Sequence, residues 1–376
     1  WLNQRDPNYQ KYAVMAGEQD SVFLNNSMGI LTSRDAWVYG YSKEKVIQNT
    51  QHLIQNYNSE LERLKDVPAE KKKELFNRKT DYINWSRKLE RLAVNGFNIT
   101  YQPDEIKLSL YRPFTKKWVY HDKYLNEEAR LYFNKFGQEN LVINTTGRGV
   151  SRDFSVLVSN LMPNQHTMDT GQGFMRYDNE VDETALFQSH DNMNQAFADK
   201  LGLSLDDTFA YVYGLLNSRE YQEKYANDLK KDLARIPIVK NKEEYVKIGK
   251  VLMDLHLNYE TVPAYEDVTV GMSDKPSYKV TKMKFAKTRD ENGKSVNDRS
   301  AIVYNPDITI RNIPEKAYEY IVNGRSAIEW IMDQYQVKTD KKSGITDDPN
   351  DYSTDEKYIF NLLLRIINVS MQTVDL

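Results

Sequence analysis

The chain has 376 residues, enough for roughly two or three domains that each bury a core of their own. It contains no cysteine, which excludes a thiol nucleophile, a redox-active cysteine pair and a zinc site with cysteine ligands, and which agrees with a reducing compartment. The formal net charge of −3 excludes a uniformly basic molecule, so any anionic partner has to be bound by a local patch.

The sequence carries no recognisable targeting signal. No apolar run approaches the roughly 18 residues of a membrane span, and the N-terminus has no basic stretch followed by an apolar one. We therefore expect a cytoplasmic protein without a membrane partner. The sequence begins with Trp1 rather than an initiator methionine, and we expect it to be part of a longer polypeptide.

A helical hairpin is predicted over residues 42–96. In SKEKVIQNTQHLIQNYNSELERL the apolar residues between 46 and 64 recur at the spacing of one helix face. Beyond Pro68 a second, highly charged helix carries apolar residues as far as Leu92, shortly before a glycine.

Strand signals dominate residues 97–190. From residue 99 to about residue 177 the hydrophobic period falls towards two, and β-branched and aromatic residues are frequent. Glycine, proline and asparagine interrupt the pattern at intervals, as they do at turns. The sequence therefore predicts a β-rich module here.

Helices return over residues 191–262. SLDDTFAYVYGLLNS is an apolar helix whose Ser204 and Asp207 suit an N-terminal capping box. Two further helices are predicted, at residues 219–235 and 243–258.

A second group of strands is predicted over residues 263–312, with a hairpin turn at Asn292-Gly293. Residues 313–376 are again helical in pattern. They contain two matches to the Ser-x-x-Glu capping box, Ser326 with Glu329 and Ser353 with Glu356. The sequence thus predicts an α+β fold, in which a β-rich module is flanked by a helical hairpin and by helical bundle segments.

A search for catalytic motifs finds none. The histidines lack the spacing of metal ligands; they are His52, His121, His166, His190 and His256. The acidic residues of PDEIK are too close in sequence to converge from separate strands on one Mg²⁺. There is no GxxxxGK[ST] phosphate loop and no GxSxG nucleophile elbow. We expect no enzymatic activity, no metal and no cofactor in this chain itself.

The stretch LYRPFTKKWVYHD, residues 110–122, combines aromatic with basic residues. Alternating residues before Pro113 predict one strand, Pro113 predicts a turn, and KKWVYH predicts a returning strand. We expect a two-stranded ribbon with basic residues at its tip, and such a ribbon fits the major groove of DNA. The alternative is a solvated hairpin whose aromatic residues belong to an ordinary core.

A local basic excess surrounds this ribbon. Between Lys107 and Arg152 there are nine lysines and arginines against four acidic residues, in a chain whose net charge is negative. The turn TTGRGVSRD adds Arg148 and Arg152 among hydroxyl side chains, a composition suited to phosphate or base contacts.

Several longer stretches extend the pattern beyond composition: LYRPFTKKWVYHDKYL, NLVINTTGRGVSRDFSVLVSNLMPNQHTMDTGQGF, LKKDLARIPIV and YNPDITIRNIPEKAYEYIVNGRSAIEWIMDQYQVKTDKKSGITDDPND. Together they resemble the C-terminal specificity region of type ISP restriction-modification enzymes, over nearly the whole chain. In that family one polypeptide carries a nuclease, an ATP-driven translocase, a coupling region, an N6-adenine methyltransferase and a target recognition domain. The resemblance implies that S-adenosylmethionine, ATP and Mg²⁺ belong only to upstream domains.

The resemblance also implies a function for the chain. By this resemblance, residues 1–41 would be the exit from an upstream methyltransferase, and residues 97–190 would be the module that recognises double-stranded DNA. The candidates for base contacts are Arg112, Lys116, Lys117, Arg148, Ser151 and Arg152. The candidates for phosphate contacts are Arg130, Lys279, Lys282 and Lys284. The alternative hypothesis is a structural coupling region, which transmits target recognition to the motor and nuclease without base contacts of its own.

Overall fold

Helices occur along the whole length of the described chain, and most strands lie between them in sequence. The computed structural model describes residues 6–127, 136–137, 139–181 and 187–376. The helices are α1 Asp35–Val38, α2 Lys43–Arg63, α3 Ala69–Leu75, α4 Arg87–Val94, α5 Gln195–Leu201, α6 Leu205–Asn217, α7 Arg219–Lys224, α8 Ala226–Leu229, α9 Lys242–Leu257, α10 Ala327–Gln334 and α11 Tyr358–Asp375. Within the described ranges, no helix is long and apolar enough to cross a membrane.

The helix starts show how far local sequence decides structure. Ser326 and Glu329 form the predicted capping box at the start of α10, which confirms that prediction. The box predicted at Ser353 is wrong, because α11 begins only at Tyr358. The Ser353 hydroxyl instead accepts a hydrogen bond from the Asp355 N–H at 3.1 Å, a local turn that competes with the helix.

The helix predicted over residues 219–235 is also wrong in its extent. It is interrupted at Tyr225, and its last residue belongs to a short strand. The helix is interrupted where the Tyr225 ring packs against Tyr9 and Tyr221, with centroids 4.9 and 5.2 Å away.

Three four-stranded sheets dominate the strand structure of the described chain. Their strand orders are β2-β9-β6-β7, β3-β5-β4-β8 and β13-β16-β15-β14. The strands are β1 Ala13–Val14, β2 Ser27–Met28, β3 Tyr39–Gly40, β4 Ile106–Arg112, β5 Thr115–Tyr120, β6 Val142–Thr145, β7 Val156–Ser159, β8 Met162–Pro163, β9 Gln172–Met175, β10 Tyr177–Val181, β11 Phe187–Asp191, β12 Arg235–Ile236, β13 Thr269–Met272, β14 Lys284–Arg289, β15 Ser295–Val303, β16 Ile308–Arg311, β17 Ile321–Val322, β18 Arg325–Ser326, β19 Lys338–Thr339 and β20 Thr346–Asp347. The combination of helices with mainly antiparallel sheets confirms the α+β class.

The N-terminal segment is built into these sheets. β2 pairs with β9, and β3 pairs with β5, so the segment before α2 adds an edge strand to two of the three sheets. The predicted hairpin of β4 and β5 is confirmed, with Leu110 opposite Lys116 and Arg112 opposite Thr115. β8 joins β4 in parallel and carries the following loop to the same edge.

Three hydrophobic cores hold the arrangement together. One joins α6 and α9 to the sheet of β6, β7 and β9, and a second packs α2 and α4 against the β4–β5 hairpin. The third surrounds α10 and α11 and contains Phe114 from the tip of that hairpin. The hairpin therefore touches two cores at once, which positions the side chains described next.

Candidate nucleic-acid interface

The tip of the β4–β5 hairpin is buried, whereas the basic residues on either side of it, Arg112 and Lys116, are partly exposed. Phe114 is 1% exposed and lies in the left-handed region with φ 55°, an uncommon conformation for a bulky side chain. Its ring meets Tyr259 and Tyr320 edge to face, with centroids 5.2 and 6.1 Å apart. Burial of a phenyl group contributes about 1.5 to 3 kcal/mol to the free energy of folding, which favours a buried tip over a solvent-exposed one.

The two lysines that follow the tip are already paired with carboxylates. Lys117 Nζ lies 2.8 Å from Asp347 Oδ2 and 4.4 Å from the ring centroids of both Tyr41 and Tyr111. Lys116 pairs with Glu260, and only 14% of its side chain is exposed. Their role in base contact stays a prediction, and any such contact has to compete with these ion pairs.

Arg112 is held but retains free donors. Its Nη1 donates to Asn164 Oδ1 at 3.0 Å and to the Tyr111 carbonyl at 2.6 Å, and its guanidinium lies 4.0 Å from the Tyr111 ring centroid. Among the described residues, no partner is found for Nε or Nη2. A half-buried guanidinium fixed on one side and open on the other is suited to a bidentate contact with a guanine edge.

The GRGVSR turn lies beside the loop that follows β8. Arg148, Ser151 and Arg152 are all exposed. Gly147 N–H donates to the Asp169 carbonyl at 2.9 Å, and a Cβ on Gly147 would lie only 2.1 Å from the Thr170 carbonyl oxygen. The two loops therefore approach at a distance that only glycine permits.

Asn323 connects these loops to the C-terminal part of the chain. Its side chain accepts a hydrogen bond from Asp169 N–H at 2.9 Å and donates to the Thr167 carbonyl at 3.3 Å. Its backbone N–H donates to Ser155 Oγ at 2.8 Å, and its carbonyl accepts from Arg152 Nη1 at 2.8 Å. Asn323 and the following glycine have φ of 50° and 80°, as in the two-residue turn that joins β17 and β18.

Two further cations continue the surface from this turn. Asp333 pairs with Arg325 at 3.3 Å and with Lys338 at 3.7 Å, so one carboxylate holds both. Partial burial lowers the pKa of Lys338, and the nearby charges of Lys117 and Arg112 lower it further while Asp333 opposes them.

Three of the four lysine and arginine residues predicted to contact phosphates lie in the described part of the chain. Lys279, Lys282 and Lys284 are exposed, and Val337 N–H donates to the Thr281 carbonyl at 3.0 Å. This bond joins the residues that directly precede Lys282 and Lys338 in the chain. Arg130 lies outside the described residues. We name as the basic surface the cations of these segments: Arg112, Arg148, Arg152, Lys282, Arg325 and Lys338.

Backbone strain collects around the basic surface. Phe114, Thr170 and Asn323 are three of the five non-glycine residues with positive φ in the described chain. A β-branched residue such as Thr170, with φ 46°, adopts this region only when its surroundings impose it. Such strained positions concentrate at binding sites, because the fold has to hold a loop in one shape there.

The comparisons with known proteins identify the family. A family model described as the Type ISP C-terminal specificity domain matches residues 21–362. The chain belongs to this family. The finding confirms the resemblance seen in the sequence. No curated protein sequence matches the chain significantly.

Solved structures agree with the Type ISP specificity-domain assignment. A nuclease-deletion mutant of the Type ISP restriction-modification enzyme LlaGI, in complex with a DNA substrate mimic, matches 100% of this chain at 44% identity with a TM-score of 0.89. The ATP-dependent Type ISP enzyme LlaBIII bound to DNA matches 100% of it at 38% identity, also with a TM-score of 0.89. The chain spans 34% and 24% of those two chains. A DrdV–DNA complex shares the fold, with a TM-score of 0.84 at 23% identity and 39% of its own chain covered.

Three residues of this specificity domain were missed by the sequence analysis. Arg325 and Lys338 lie outside the basic cluster counted from the sequence, and Asn323 carries no charge. The Asn-Gly pair at residues 323–324 is the same hairpin signal that was recognised at Asn292-Gly293. That turn was detectable, whereas its contact with Arg152 depends on the tertiary fold.

Catalytic chemistry finds little support in the described residues. Within them, no group of three or more His, Asp or Glu side chains is arranged to hold a metal ion. Burial lowers the pKa of both His121 and His256 to about 3, so these imidazoles are neutral and packed inside the fold. His256 is hydrogen bonded to Tyr213 and Thr373, at 2.6 and 2.9 Å, as a structural residue is.

Proposed function

We propose that this chain selects a short duplex DNA sequence and places an N6-adenine methyltransferase, carried upstream on the same polypeptide, at its target. The observation that carries the proposal is the basic surface, in which guanidinium groups are held by hydrogen bonds with donors left open. Family membership supports it, as do the similar LlaGI and LlaBIII chains, whose structures contain a DNA substrate mimic or DNA.

The proposal divides the contacts by chemistry. Arg112 and the GRGVSR turn, with Arg148, Ser151 and Arg152, contact base edges, because bidentate donors distinguish bases. Lys279, Lys282 and Lys284 contact phosphates, as does Arg130, because an ammonium or guanidinium group on a phosphate fixes position without reading sequence. Lys116 and Lys117 hold the hairpin in place in this proposal, since their carboxylate partners already satisfy them.

The proposal assigns no catalytic step to this chain. S-adenosylmethionine, ATP and Mg²⁺ would bind upstream domains, and residues 1–41 would lead from the methyltransferase into the specificity domain. The coupling hypothesis assigns the charged hairpin of residues 42–96 to signal transmission, and it predicts that mutations on the basic surface leave base choice unchanged.

Methylation by the complete enzyme on a panel of single-base-pair variants of its target tests the proposal. Arg112→Ala and Arg152→Ala should each cost about 1 to 3 kcal/mol on the cognate site and relax the choice at one base pair. Lys282→Ala should weaken methylation of all sequences to a similar degree and reduce the salt dependence of binding by about one unit. Lys240→Ala, an exposed cation in the segment before α9, is the matched control.

Each alternative predicts a different pattern in the same assay. Uniform loss for all three variants would mean that the basic surface holds only the backbone. Unchanged base choice, with altered ATP-driven activity, would support the coupling hypothesis. Wild-type behaviour of all three would remove the basic surface from DNA binding.

A further inference from the structure

The longest strand pair of the third sheet projects beyond its core. In residues 286–298, which we name the arm, no side chain is buried, although β14 and β15 remain hydrogen bonded along it. The pairing changes register at the start of the arm, from Phe285 opposite Ile302 to Ala286 opposite Asp298. A large bulge of this kind bends a ribbon away from its sheet.

The two faces of the arm differ in charge. Lys287 lies opposite Asn297, and Arg289 lies opposite Ser295, so these four side chains share one face. All four are exposed, and Lys287 Nζ donates to Asn297 Oδ1 at 2.7 Å. The carboxylate of Asp298 belongs to the other face. One face therefore presents two cations, an amide and a hydroxyl, without a carboxylate.

The arm contains three acidic residues, Asp290, Glu291 and Asp298, and two of them accept hydrogen bonds from nearby N–H groups. Asp290 Oδ1 accepts hydrogen bonds from the N–H groups of Asn292 and Lys294, at 3.0 and 2.9 Å. Asp298 Oδ1 accepts from the N–H and hydroxyl of Ser300, at 2.9 and 2.6 Å. These two carboxylates therefore stabilise the local backbone, whereas Lys287, Arg289 and the turn residue Glu291 are exposed.

The root of the arm lies next to the basic surface. Arg299 lies 4.4 Å from the Tyr318 ring centroid and 3.4 Å from Glu329 Oε2. Glu329 also closes the capping box with Ser326, the residue that follows Arg325. The arm therefore extends outward from the edge of the basic surface.

We propose that the arm is a second DNA contact, which holds phosphates of the duplex beside the segment whose bases are read. This inference rests on the proposed function and deepens it. A two-stranded ribbon fits the major groove, and lysine and arginine bind the phosphates along its walls without sequence preference. The six residues of β14 extend about 20 Å, the length of roughly six base pairs.

Salt-dependent binding of the 376-residue chain to duplexes of graded length tests the arm. The double variant Lys287→Ala/Arg289→Ala removes both cations of the face. On a long duplex, the slope of log K against log[salt] should fall by about two, at roughly 0.9 for each phosphate that is no longer neutralised. The preference for cognate over mixed-sequence duplex should stay unchanged. Trimming about six base pairs from the flank should abolish the difference between variant and wild type.

Lys240→Ala/Lys247→Ala is the matched control, because it removes the same charge from exposed positions for which no ion pair is found among the described residues. A control slope equal to that of the arm variant would overturn the proposal, since only net charge would then matter. An arm variant with the wild-type slope would also overturn the proposal. So would a reduction in slope that does not depend on duplex length, because the arm would then contact another part of the polypeptide. Failure of the wild-type chain to bind any duplex would instead refute the proposed function itself.

Discussion

Replacement of Asn323 should reveal how tightly the loops of the basic surface are tied together. Its side chain is 3% exposed and makes hydrogen bonds to Asp169 and Thr167 in the loop after β8. Its own φ is 50°, which glycine adopts freely and alanine does not. Asn323→Gly therefore removes the two side-chain hydrogen bonds without adding backbone strain to the folded state, whereas Asn323→Ala removes them and adds that strain.

The expected destabilisation follows from these hydrogen bonds. Each of them contributes about 0.5 to 1.5 kcal/mol, so Asn323→Gly should lower the free energy of unfolding by about 1 to 3 kcal/mol. Asn323→Ala should cost a further 1 kcal/mol or so, because a left-handed conformation costs an L-residue roughly 1 to 2 kcal/mol. Both variants keep the carbonyl that accepts from Arg152, so that hydrogen bond should weaken only through movement of the turn.

Urea unfolding measures this destabilisation, and hydrogen exchange of the Asp169 amide, which Asn323 protects, locates it. Asn292→Ala is the control, because Asn292 also precedes a turn glycine but its side chain is exposed. It should change the free energy of unfolding by less than about 0.5 kcal/mol. An Asn323→Gly variant as stable as the wild type would refute this prediction. It would also be refuted if the two Asn323 variants had the same free energy of unfolding as each other and hydrogen exchange at the Asp169 amide did not change.

Two further substitutions test the buried polar contacts. Lys117→Met leaves the Asp347 carboxylate without its ammonium partner, so urea titration should show a free energy of unfolding that is lower by about 1.5 to 3 kcal/mol. Lys43→Met, on the exposed start of α2, is the control and should have little effect. A changed base preference without destabilisation would instead support a base contact for Lys117. His256 has its pKa lowered from 6.5 to about 3, so as pH falls below 6.5 the unfolded chain gains a proton that the folded chain does not, and stability is lost. His256→Gln, which does not titrate, should reduce the slope of unfolding free energy between about pH 6 and pH 4 by roughly 1.4 kcal/mol per pH unit, and an unchanged slope would contradict the assignment.

The specificity-domain family and most elements were accessible from the sequence because their signals are local. The β4–β5 hairpin follows from alternation around Pro113, and the start of α10 follows from Ser326 and Glu329. A capping box and a two-residue turn are satisfied within a few residues, so distant packing seldom reverses them. Ser353 is the exception, because its hydroxyl accepts a hydrogen bond from the Asp355 N–H within a local turn.

The exposure of each side chain and the residues that it contacts could not be predicted from the sequence in the same way. Composition placed basic residues near the hairpin tip, but Phe114 enters a core formed with Tyr259 and Tyr320, whose positions in the sequence are remote. The ion pair of Lys117 with Asp347, with which any DNA contact of Lys117 has to compete, could likewise not be predicted from the sequence.

The sequence by itself determined most elements, the family and the abundance of basic residues, because each of these depends on short-range patterns or on sequence motifs. Only the tertiary structure decided which cations are open to a ligand. Arg112, Arg152, Arg325 and Lys338 come from four separate segments, and they meet through Asn164, Asn323 and Asp333. The physical reason is that a charge in a folded protein acts according to its burial and its partners, and both are set by residues far away in the chain.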